Sequence, residues 1–417
     1  MENLETEVKK KLVITKKVAK DKVAKDKVAK DKVAKDKVAE EQKPIQDKKD
    51  KKAVKQKLGQ FYTTNQDYIL QGMYILEDVK IIIEPFAGNG DLLNFIKETD
   101  KNKYTLECYD IDPKKDFITK RDTITNPPTY TNKFILTNPP YLARNKSNEK
   151  VLFDKYDVND LYKCFIKELC TNQSMGGIII IPLNFWSSIR NGDIELRKAF
   201  LEIYNVLQLN IFEEQVFNDT TYTTCSFQFI NKTLIPKTDN INVGNGTNAI
   251  NGTNAINVMI YPSKINISVV LNDDNNYLIG GDIYKLKTND KYKITRATSA
   301  NKDKLNTNIL VKCIDDNKDS QIGLSFVPED KLYIDNTPNL SSRTYATLII
   351  TPDIDEDKQK LLVEKFNKYL EKHRKKYNSL FLTNYRESKD IARKRISFDL
   401  VYLIAEYILD NLDTLVI

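Results

Sequence analysis

The chain has 417 residues, 41% of them hydrophobic, which is enough for a large domain, a second smaller domain and a tail. It has no run of about 18 apolar residues and opens with charge, which argues against a membrane span or a secretory signal and favours a cytoplasmic protein. Five scattered cysteines and a single histidine argue against a Cys/His zinc site and favour reduced thiols.

The net charge of +7 comes from the first 57 residues, which contain 20 lysines and 11 acidic residues. Residues 16–40 repeat the pentad Lys-Asp-Lys-Val-Ala. A five-residue period builds no continuous apolar stripe on a helix, so we expect residues 1–57 to be a disordered, solvated tail. The tail is either a polycation that tethers the protein to DNA or RNA or, more simply, a tolerated repeat expansion.

After the tail, buried strands alternate with helices, which predicts an α/β fold with a parallel sheet covered on both faces. The predicted strands are 80–86, 103–110, 133–138 and 177–183, and the predicted helices are 91–98, 159–172 and 193–203. Segments 205–212 and 223–230 predict an antiparallel edge pair. The first domain is thus expected at 58–235, an Asn-rich low-complexity linker at 236–257, and a mixed region with C-terminal helices at 258–417.

A glycine-containing loop follows the first strand and opens the next helix. Its candidate ligand-binding residues are Glu84, Phe86, Ala87, Gly88 and Gly90. The two glycines let the backbone approach a ligand without a Cβ clash. The third glycine of a dinucleotide fingerprint is missing, which disfavours pyrophosphate binding. Taken alone, the loop is as consistent with an ordinary turn.

Two acidic residues follow the next strands at spacings typical of a nucleotide-binding sheet. Asp110 is expected to accept hydrogen bonds from ribose hydroxyls, with Ile111 packing on an adenine ring. Asp122 is expected to accept from the adenine amino group. Each acid alone reads as a turn aspartate, whereas both together favour a nucleotide-like cofactor.

The segment Asn138-Pro139-Pro140-Tyr141 ends the fourth strand. Two prolines fix an extended kink, so the side-chain carbonyl of Asn138 and the backbone carbonyl of Pro139 can converge on one planar amino group. Tyr141 offers a flat face to the ring that carries this group, worth about 1–3 kcal/mol by stacking. A similar segment, Asn126-Pro127-Pro128, lacks the aromatic residue and is assigned to a turn.

With these motifs, residues 58–232 and more loosely the C-terminal region resemble the gamma class of N6-adenine DNA methyltransferases. The resemblance implies a Rossmann-like sheet of seven strands, mostly parallel with an antiparallel edge pair, and a C-terminal target-recognition domain. It implies S-adenosylmethionine as cofactor, with no metal required. In that class a Gly-Gln-Phe-Tyr-Thr segment contacts the cofactor, which here assigns Phe61, Tyr62 and Thr63. Thr64 stands where a proline is common.

The resemblance also implies that the methyl group is transferred to a flipped adenine of double-stranded DNA, in a restriction–modification system. Asn138, Pro139, Pro140 and Tyr141 would then be catalytic, and Asn138 would also be one of the cofactor-binding residues. Phe217 would face Tyr141 across the base unless it only caps the core. The expected protein is a monomer. A separately encoded restriction endonuclease is a partner that the resemblance allows.

The expected DNA contacts rest on arginine, the better bidentate partner of phosphate and guanine. They are Arg144, Lys146, Arg343, Arg386, Arg393 and Arg395, each of which reads equally well as a surface ion pair. Three alternatives stay open: a glutamine methyltransferase acting on protein, an RNA adenine methyltransferase, and a non-catalytic DNA-binding relative. The long chain after residue 232 favours a nucleic-acid substrate over a protein one.

Overall fold

A computed structural model describes residues 65–217, 223–235, 241–243, 247–249, 254–316, 320–336, 344–387 and 392–415. At 241–243, 247–249, 384–387 and 392–393 only the backbone is described. The described residues belong to one compact unit, Gln60–Ile417. The predicted tail at 1–57 lies outside them, as do Phe61, Tyr62, Thr63 and Arg343.

A nine-stranded sheet forms the centre of the fold, and a separate two-stranded ribbon precedes its last two strands. The strands of both, in chain order, are β1 Ile81–Glu84, β2 Thr105–Asp110, β3 Thr119–Lys120, β4 Phe134–Thr137, β5 Gly176–Pro182, β6 Tyr204–Phe212, β7 Thr224–Asn231, β8 Ile241–Val243 and β9 Thr247–Ala249 (the ribbon), β10 Ala255–Tyr261 and β11 Ile265–Val270. The order across the large sheet is β11-β10-β6-β7-β5-β4-β1-β2-β3.

Most neighbouring strands of this sheet are parallel. The pairs β5–β4, β4–β1, β1–β2, β2–β3 and β6–β10 are parallel. Strand β7 runs antiparallel to both β5 and β6, and β11 runs antiparallel to β10. The predicted α/β class with a mostly parallel sheet is therefore confirmed.

Strand β5 shows why the sheet is buried on both faces. Its four consecutive isoleucines, Ile178–Ile181, are fully buried. Because side chains alternate along a strand, Ile179 and Ile181 enter one hydrophobic cluster while Ile178 and Ile180 enter another on the opposite face. A continuous apolar run is typical of a strand covered on both sides.

Helices cover the sheet. The α-helices of the described chain that precede β6 are α1 Gln66–Ile69, α2 Val151–Tyr156, α3 Leu161–Thr171, α4 Asn184–Ser187 and α5 Asn191–Ile203. On α3 the buried side chains Tyr162, Phe165, Ile166 and Leu169 follow the spacing of one helical face and join the cluster of Ile179. A 3-10 helix, Asp91–Phe95, stands where the sequence predicted a longer helix.

A smaller sheet and two helices form the C-terminal region. Their bounds are β12 Lys293–Arg296, β13 Ile309–Lys312, β14 Gly323–Phe326, β15 Tyr345–Thr351, α6 Glu356–Tyr377, β16 Thr383–Glu387, β17 Ala392–Arg395 and α7 Phe398–Asp410. Strands β12-β15-β13-β14 form an antiparallel sheet that shares a hydrophobic cluster with α6 and α7. Strands β16 and β17 form a hairpin.

The large sheet differs from the expectation in size. Seven strands were expected, and the sheet has nine because β10 and β11 continue it beyond β6. The predicted pair β6 and β7 is antiparallel, but it lies inside the sheet rather than at its edge. Strand β10, Ala255–Tyr261, crosses the boundary that the sequence placed at residue 258.

Candidate functional site

Three neighbouring parallel strands bring the predicted motifs to one edge of the sheet. Strand β1 pairs with β2 on one side and with β4 on the other. Because all three run in the same direction, the segments that follow Glu84, Asp110 and Thr137 leave the sheet at the same edge. The glycine loop therefore lies between the acidic segment and the segment that contains Asn138.

The glycine loop needs its glycines. Gly88 and Gly90 adopt left-handed backbone conformations with φ of 55° and 76°. A Cβ atom at Gly90 would lie 2.9 Å from Cζ of Phe117, which makes that position a close approach as well. The loop is also tied to β2, because the Ala87 N–H donates to the carbonyl of Tyr109 over 2.8 Å.

Asp110 connects the glycine loop to its own strand end. Its Oδ2 accepts the Gly88 N–H over 2.8 Å, and its Oδ1 accepts the Asp112 N–H over 2.8 Å. The side chain is buried, with 5% of its surface exposed. A carboxylate oxygen can accept a second hydrogen bond, so these contacts fix Asp110 in place while leaving acceptor capacity.

Glu84 is a buried carboxyl group at the base of the loop. It is 2% exposed, and its Oε2 has no hydrogen-bond partner among the described residues. Burial is the main reason that the pKa of Glu84 lies well above its usual range, and the nearby carboxylates of Asp110 and Asp91 raise it further. A buried acceptor without a partner is costly, so the site suits a ligand that brings a hydrogen-bond donor or a positive charge.

Two apolar side chains are exposed beside this loop. Ile111 is 47% exposed and Phe117 is 57% exposed. Ile111 was singled out from the sequence, but Phe117 was not. Its only sequence signal was an aromatic residue directly after the mostly charged segment 112–116, and its closeness to Gly90 depends on the fold.

The remaining predicted cofactor residues have structural contacts. Asp122 Oδ1 accepts the N–H groups of Ile124 and Thr125, over 3.1 and 3.3 Å, as in a turn. The ring of Phe86 packs edge-on against Phe165, with centroids 5.2 Å apart. Ala87 is buried. These contacts hold the segments around the glycine loop in place. The ligand contacts expected of the same residues stay predictions.

The Asn138–Tyr141 segment, hereafter called the catalytic loop after the role that the sequence predicts for it, follows β4 directly. The hydroxyl group of Tyr141 lies 2.5 Å from Oδ1 of Asn138 and 3.0 Å from the carbonyl oxygen of Ile180 in β5. Burial raises the pKa of Tyr141 well above its usual range, so the hydroxyl keeps its proton and donates it. The Asn138 carbonyl is thereby held in a defined position at the end of the strand.

The two expected base-stacking rings are both buried. Tyr141 is 3% exposed and packs with Tyr162, with ring centroids 6.1 Å apart. Phe217 is 4% exposed and belongs to a different hydrophobic cluster, together with Phe212 and with Tyr261 packed against it. The structure thus places Phe217 in the core on the other side of the sheet and does not pack it against Tyr141.

The predicted DNA-contacting residues are dispersed. Arg144 donates from Nε and Nη2 to Oδ1 of Asp154 over 3.1 and 2.7 Å, and Lys146 is exposed. Arg386 and Arg393 are paired across the β16–β17 hairpin, and Arg395 is half-buried at its end. The Arg144 contact matches the ion-pair alternative, while Arg386, Arg393 and Arg395 lie on the hairpin.

A cavity of about 630 Å³ is lined in part by residues that begin two positions after Tyr141 in the chain. One wall consists of residues 143–145, which follow Tyr141. The other walls come from the start of α3, Pro182 of β5, Asn184, residues 188–190, Asp193 and Thr383 of the hairpin. The volume lies in the range of small-molecule sites.

Among the described residues, no group of three or more His, Cys, Asp or Glu side chains is placed to bind a metal ion. Within the same part of the chain, no helix has the length and apolar composition needed to cross a membrane.

No family model and no curated protein matches the sequence. Solved structures with partial similarity include a methyltransferase subunit of a type I restriction–modification system from Streptococcus thermophilus (13% identity, 49% of this chain and 48% of that one, TM-score 0.34). Another is described as the modification subunit of a type I restriction enzyme from Vibrio vulnificus YJ016 (13% identity, 50% and 48%, TM-score 0.35). A third is a class I S-adenosylmethionine-dependent methyltransferase from Listeria monocytogenes (12% identity, 41% and 59%, TM-score 0.31).

The chain spans about half the length of the first two of these proteins, 48% in each case. At TM-scores of 0.31 to 0.35 the similarity carries no functional weight. The function is therefore inferred from the residues of this chain.

Proposed function

We propose that the chain is an S-adenosylmethionine-dependent methyltransferase that methylates N6 of adenine in double-stranded DNA. The observation that carries the proposal is the position of the catalytic loop. It leaves β4 beside the glycine loop of β1, with the carbonyl of Asn138 held at the strand end. A methyl donor at one loop and an amino group at the other would be neighbours.

The residues around the glycine loop suit the cofactor. Gly88 and Gly90 provide a backbone that side chains would obstruct, and Ile111 and Phe117 expose apolar surface for a base. The unpartnered Oε2 of Glu84 suits the amino group of the methionine part. When bound, the cofactor supplies an electrophilic methyl group on a sulfonium centre.

The catalytic loop would act on the amino group of adenine. Asn138 Oδ1 and the Pro139 carbonyl accept hydrogen bonds from the two N–H groups and draw the nitrogen lone pair out of conjugation. The hydroxyl of Tyr141 already fixes Asn138 Oδ1, so the acceptor is preorganised. Alignment of the amino nitrogen with the methyl group then supplies the rest of the rate enhancement.

Adenine N6 lies inside the duplex, so the base must be flipped, at a cost of a few kcal/mol. Tyr141, and Phe217 if it leaves its cluster, would stack on the flipped base. Both rings are buried in this structure, so they must become accessible when DNA binds.

The DNA backbone or bases would be contacted by Arg144, Lys146 and the hairpin arginines Arg386, Arg393 and Arg395. A role in a restriction–modification system belongs to the same proposal.

The test is transfer of a tritiated methyl group by the purified chain to DNA, RNA or protein. We expect incorporation into duplex DNA. We expect Asn138→Ala to lose it by about 100-fold or more while the dissociation constant of the cofactor stays unchanged. Asn126→Ala, in the similar turn segment, is the matched control and should keep full activity. Label in protein or RNA instead of DNA would establish one of the alternative substrates. Full activity of Asn138→Ala would refute the role of the loop.

A further inference from the structure

The residues that follow Tyr141 are held against the start of α3. The Arg144 N–H donates to the carbonyl of Asn159 over 2.9 Å, and the Leu161 N–H donates to the carbonyl of Leu142 over 3.2 Å. Ala143 and Asp160 form an antiparallel bridge. Residues 142–144 and 159–161 therefore form a short clip that begins one residue after the catalytic loop.

One bond of this clip comes from a side chain. Oδ1 of Asp160 accepts the N–H of Leu142 over 3.0 Å. Leu142 thus has its carbonyl bound by the Leu161 N–H and its N–H bound by the Asp160 carboxylate. Since the other clip bonds join backbone atoms, this is the one that a substitution can remove.

We propose that Asp160 is a positioning residue for the catalytic loop: its carboxylate fixes Leu142, and through it the placement of Tyr141 and Asn138. The proposal rests on the proposed function, because it assumes that this loop contacts the substrate. Asp160 itself acts only through Leu142. The clip also sets the wall of the 630 Å³ cavity formed by residues 143–145, next to which the substrate would enter.

The surroundings of Asp160 are unfavourable for a charged carboxylate. Asp160 is 8% exposed, and burial raises its pKa to about 7, against the opposing effect of Lys163. Lys163 is itself engaged, with Nζ 2.6 Å from Oδ1 of Asp193 and 2.8 Å from Oδ1 of Asn159. Asp160 is therefore not the principal ion-pair partner of Lys163, and its best-defined contact is the Leu142 N–H.

The experiment compares Asp160→Ala with Asp160→Asn, which keeps an oxygen acceptor at the same reach. Asp355→Ala is the control, because Asp355 likewise begins a helix, accepting the Lys358 N–H over 2.8 Å, in the C-terminal region. For each variant of the full chain, kcat on duplex DNA, the dissociation constant of S-adenosylmethionine, and hydrogen exchange of the Leu142 amide are measured.

We expect Asp160→Ala to lower kcat on the order of 10- to 100-fold, with unchanged cofactor binding and faster exchange at Leu142. Asp160→Asn should retain most of the activity and the protection of Leu142, and Asp355→Ala should resemble the wild type. Wild-type kcat in Asp160→Ala, or an equal loss in Asp160→Asn, would overturn the proposal. So would an unchanged exchange rate at Leu142.

Two further results keep the test decisive. If Asp160→Ala does not fold, Asp160→Glu is measured in its place, because the extra methylene group of glutamate displaces the acceptor oxygen. Equal kcat values in Asp160→Glu and Asp160→Asn would contradict the proposal. If the wild type transfers no methyl group to DNA, RNA or protein, the proposed function fails by itself. In that case exchange at Leu142 in the Ala and Asn variants still decides whether the clip depends on Asp160.

Discussion

Glu84 is a buried side chain whose titration affects stability and which is proposed to bind the cofactor. Its carboxyl group is 2% exposed, and burial raises its pKa well above the usual range. A carboxyl with a raised folded pKa binds its proton more tightly in the folded chain than in the unfolded chain. Its stabilising contribution is therefore complete below the unfolded pKa of about 4.3 and is lost as the pH rises through the folded pKa.

Glu84→Gln removes this titration and also replaces one carboxyl oxygen with an NH2 group, which cannot accept the hydrogen bond proposed from the cofactor's amino group. We expect the free energy of unfolding to fall less steeply as the pH rises above about 4.3, and the affinity for S-adenosylmethionine to drop by at least about tenfold. Urea unfolding at several pH values and calorimetric titration measure the two effects. Glu98→Gln, at a surface side chain 84% exposed, is the control. Unchanged cofactor affinity in Glu84→Gln would contradict the assignment.

At the scale of elements, Arg197 of α5 joins segments that are distant in sequence. Its guanidinium donates to the carbonyls of Tyr277 over 2.9 Å, Phe185 over 2.8 Å and Ser188 over 2.8 Å. The side chain is fully buried, and burial lowers its pKa to about 10. A fourth acceptor is the carbonyl of Asn276, 3.2 Å from Nη2. The planar fork of arginine suits acceptors that lie in different directions.

Arg197→Ala should leave these carbonyls without partners and reduce the free energy of unfolding by at least about 3 kcal/mol, since each unsatisfied buried group costs about 1–3 kcal/mol. The neighbouring Lys198→Ala is the control, because Lys198 is only half-buried and its ammonium group pairs with the exposed carboxylate of Asp273 at 3.3 Å. It should change stability by no more than about 0.5 kcal/mol. Denaturant unfolding of both variants measures the difference, and similar values would show that the Arg197 contacts add little.

Strand β5 approaches β4 most tightly at a glycine. A Cβ at Gly177 would lie 2.5 Å from the carbonyl oxygen and 2.6 Å from the Cβ of Ile135. Gly177→Ala should therefore push the two strands apart and destabilise the chain by about 1–3 kcal/mol, as overpacking does. A Cβ at Gly192, in the first turn of α5, would meet no described atom within 4 Å. Gly192→Ala should be neutral or stabilising, and thermal unfolding of the pair checks the contrast.

At the scale of the whole molecule, the central motifs could be predicted because each stands at the end of an apolar strand. Gly88, Asp110 and Asn138 lie at one sheet edge, as their positions after β1, β2 and β4 predict for parallel strands. The extension of the sheet by β10 and β11 could not be predicted, because β10 begins within an Asn-rich repeat, residues 245–256, that resembles a linker.

Contacts between residues distant in sequence were also beyond sequence reasoning. The approach of Phe117 to Gly90 and the bond from Leu142 to Asp160 arise only when the chain folds. The position of Phe217 has a physical reason of the same kind. An aromatic ring at the end of a strand can face a ligand or enter the core, and here Phe217 enters the hydrophobic cluster that contains Phe212 and has Tyr261 packed against it.

The central claim, that the catalytic loop methylates adenine in DNA, is tested most directly in cells. The chain is expressed in a host that lacks DNA methylation, and the modified bases of its genome are sequenced. The account predicts N6-methyladenine at one short sequence motif with the wild-type chain and none with Asn138→Ala. Unmodified adenines with the wild type, or the same methylated motif with Asn138→Ala, would contradict it.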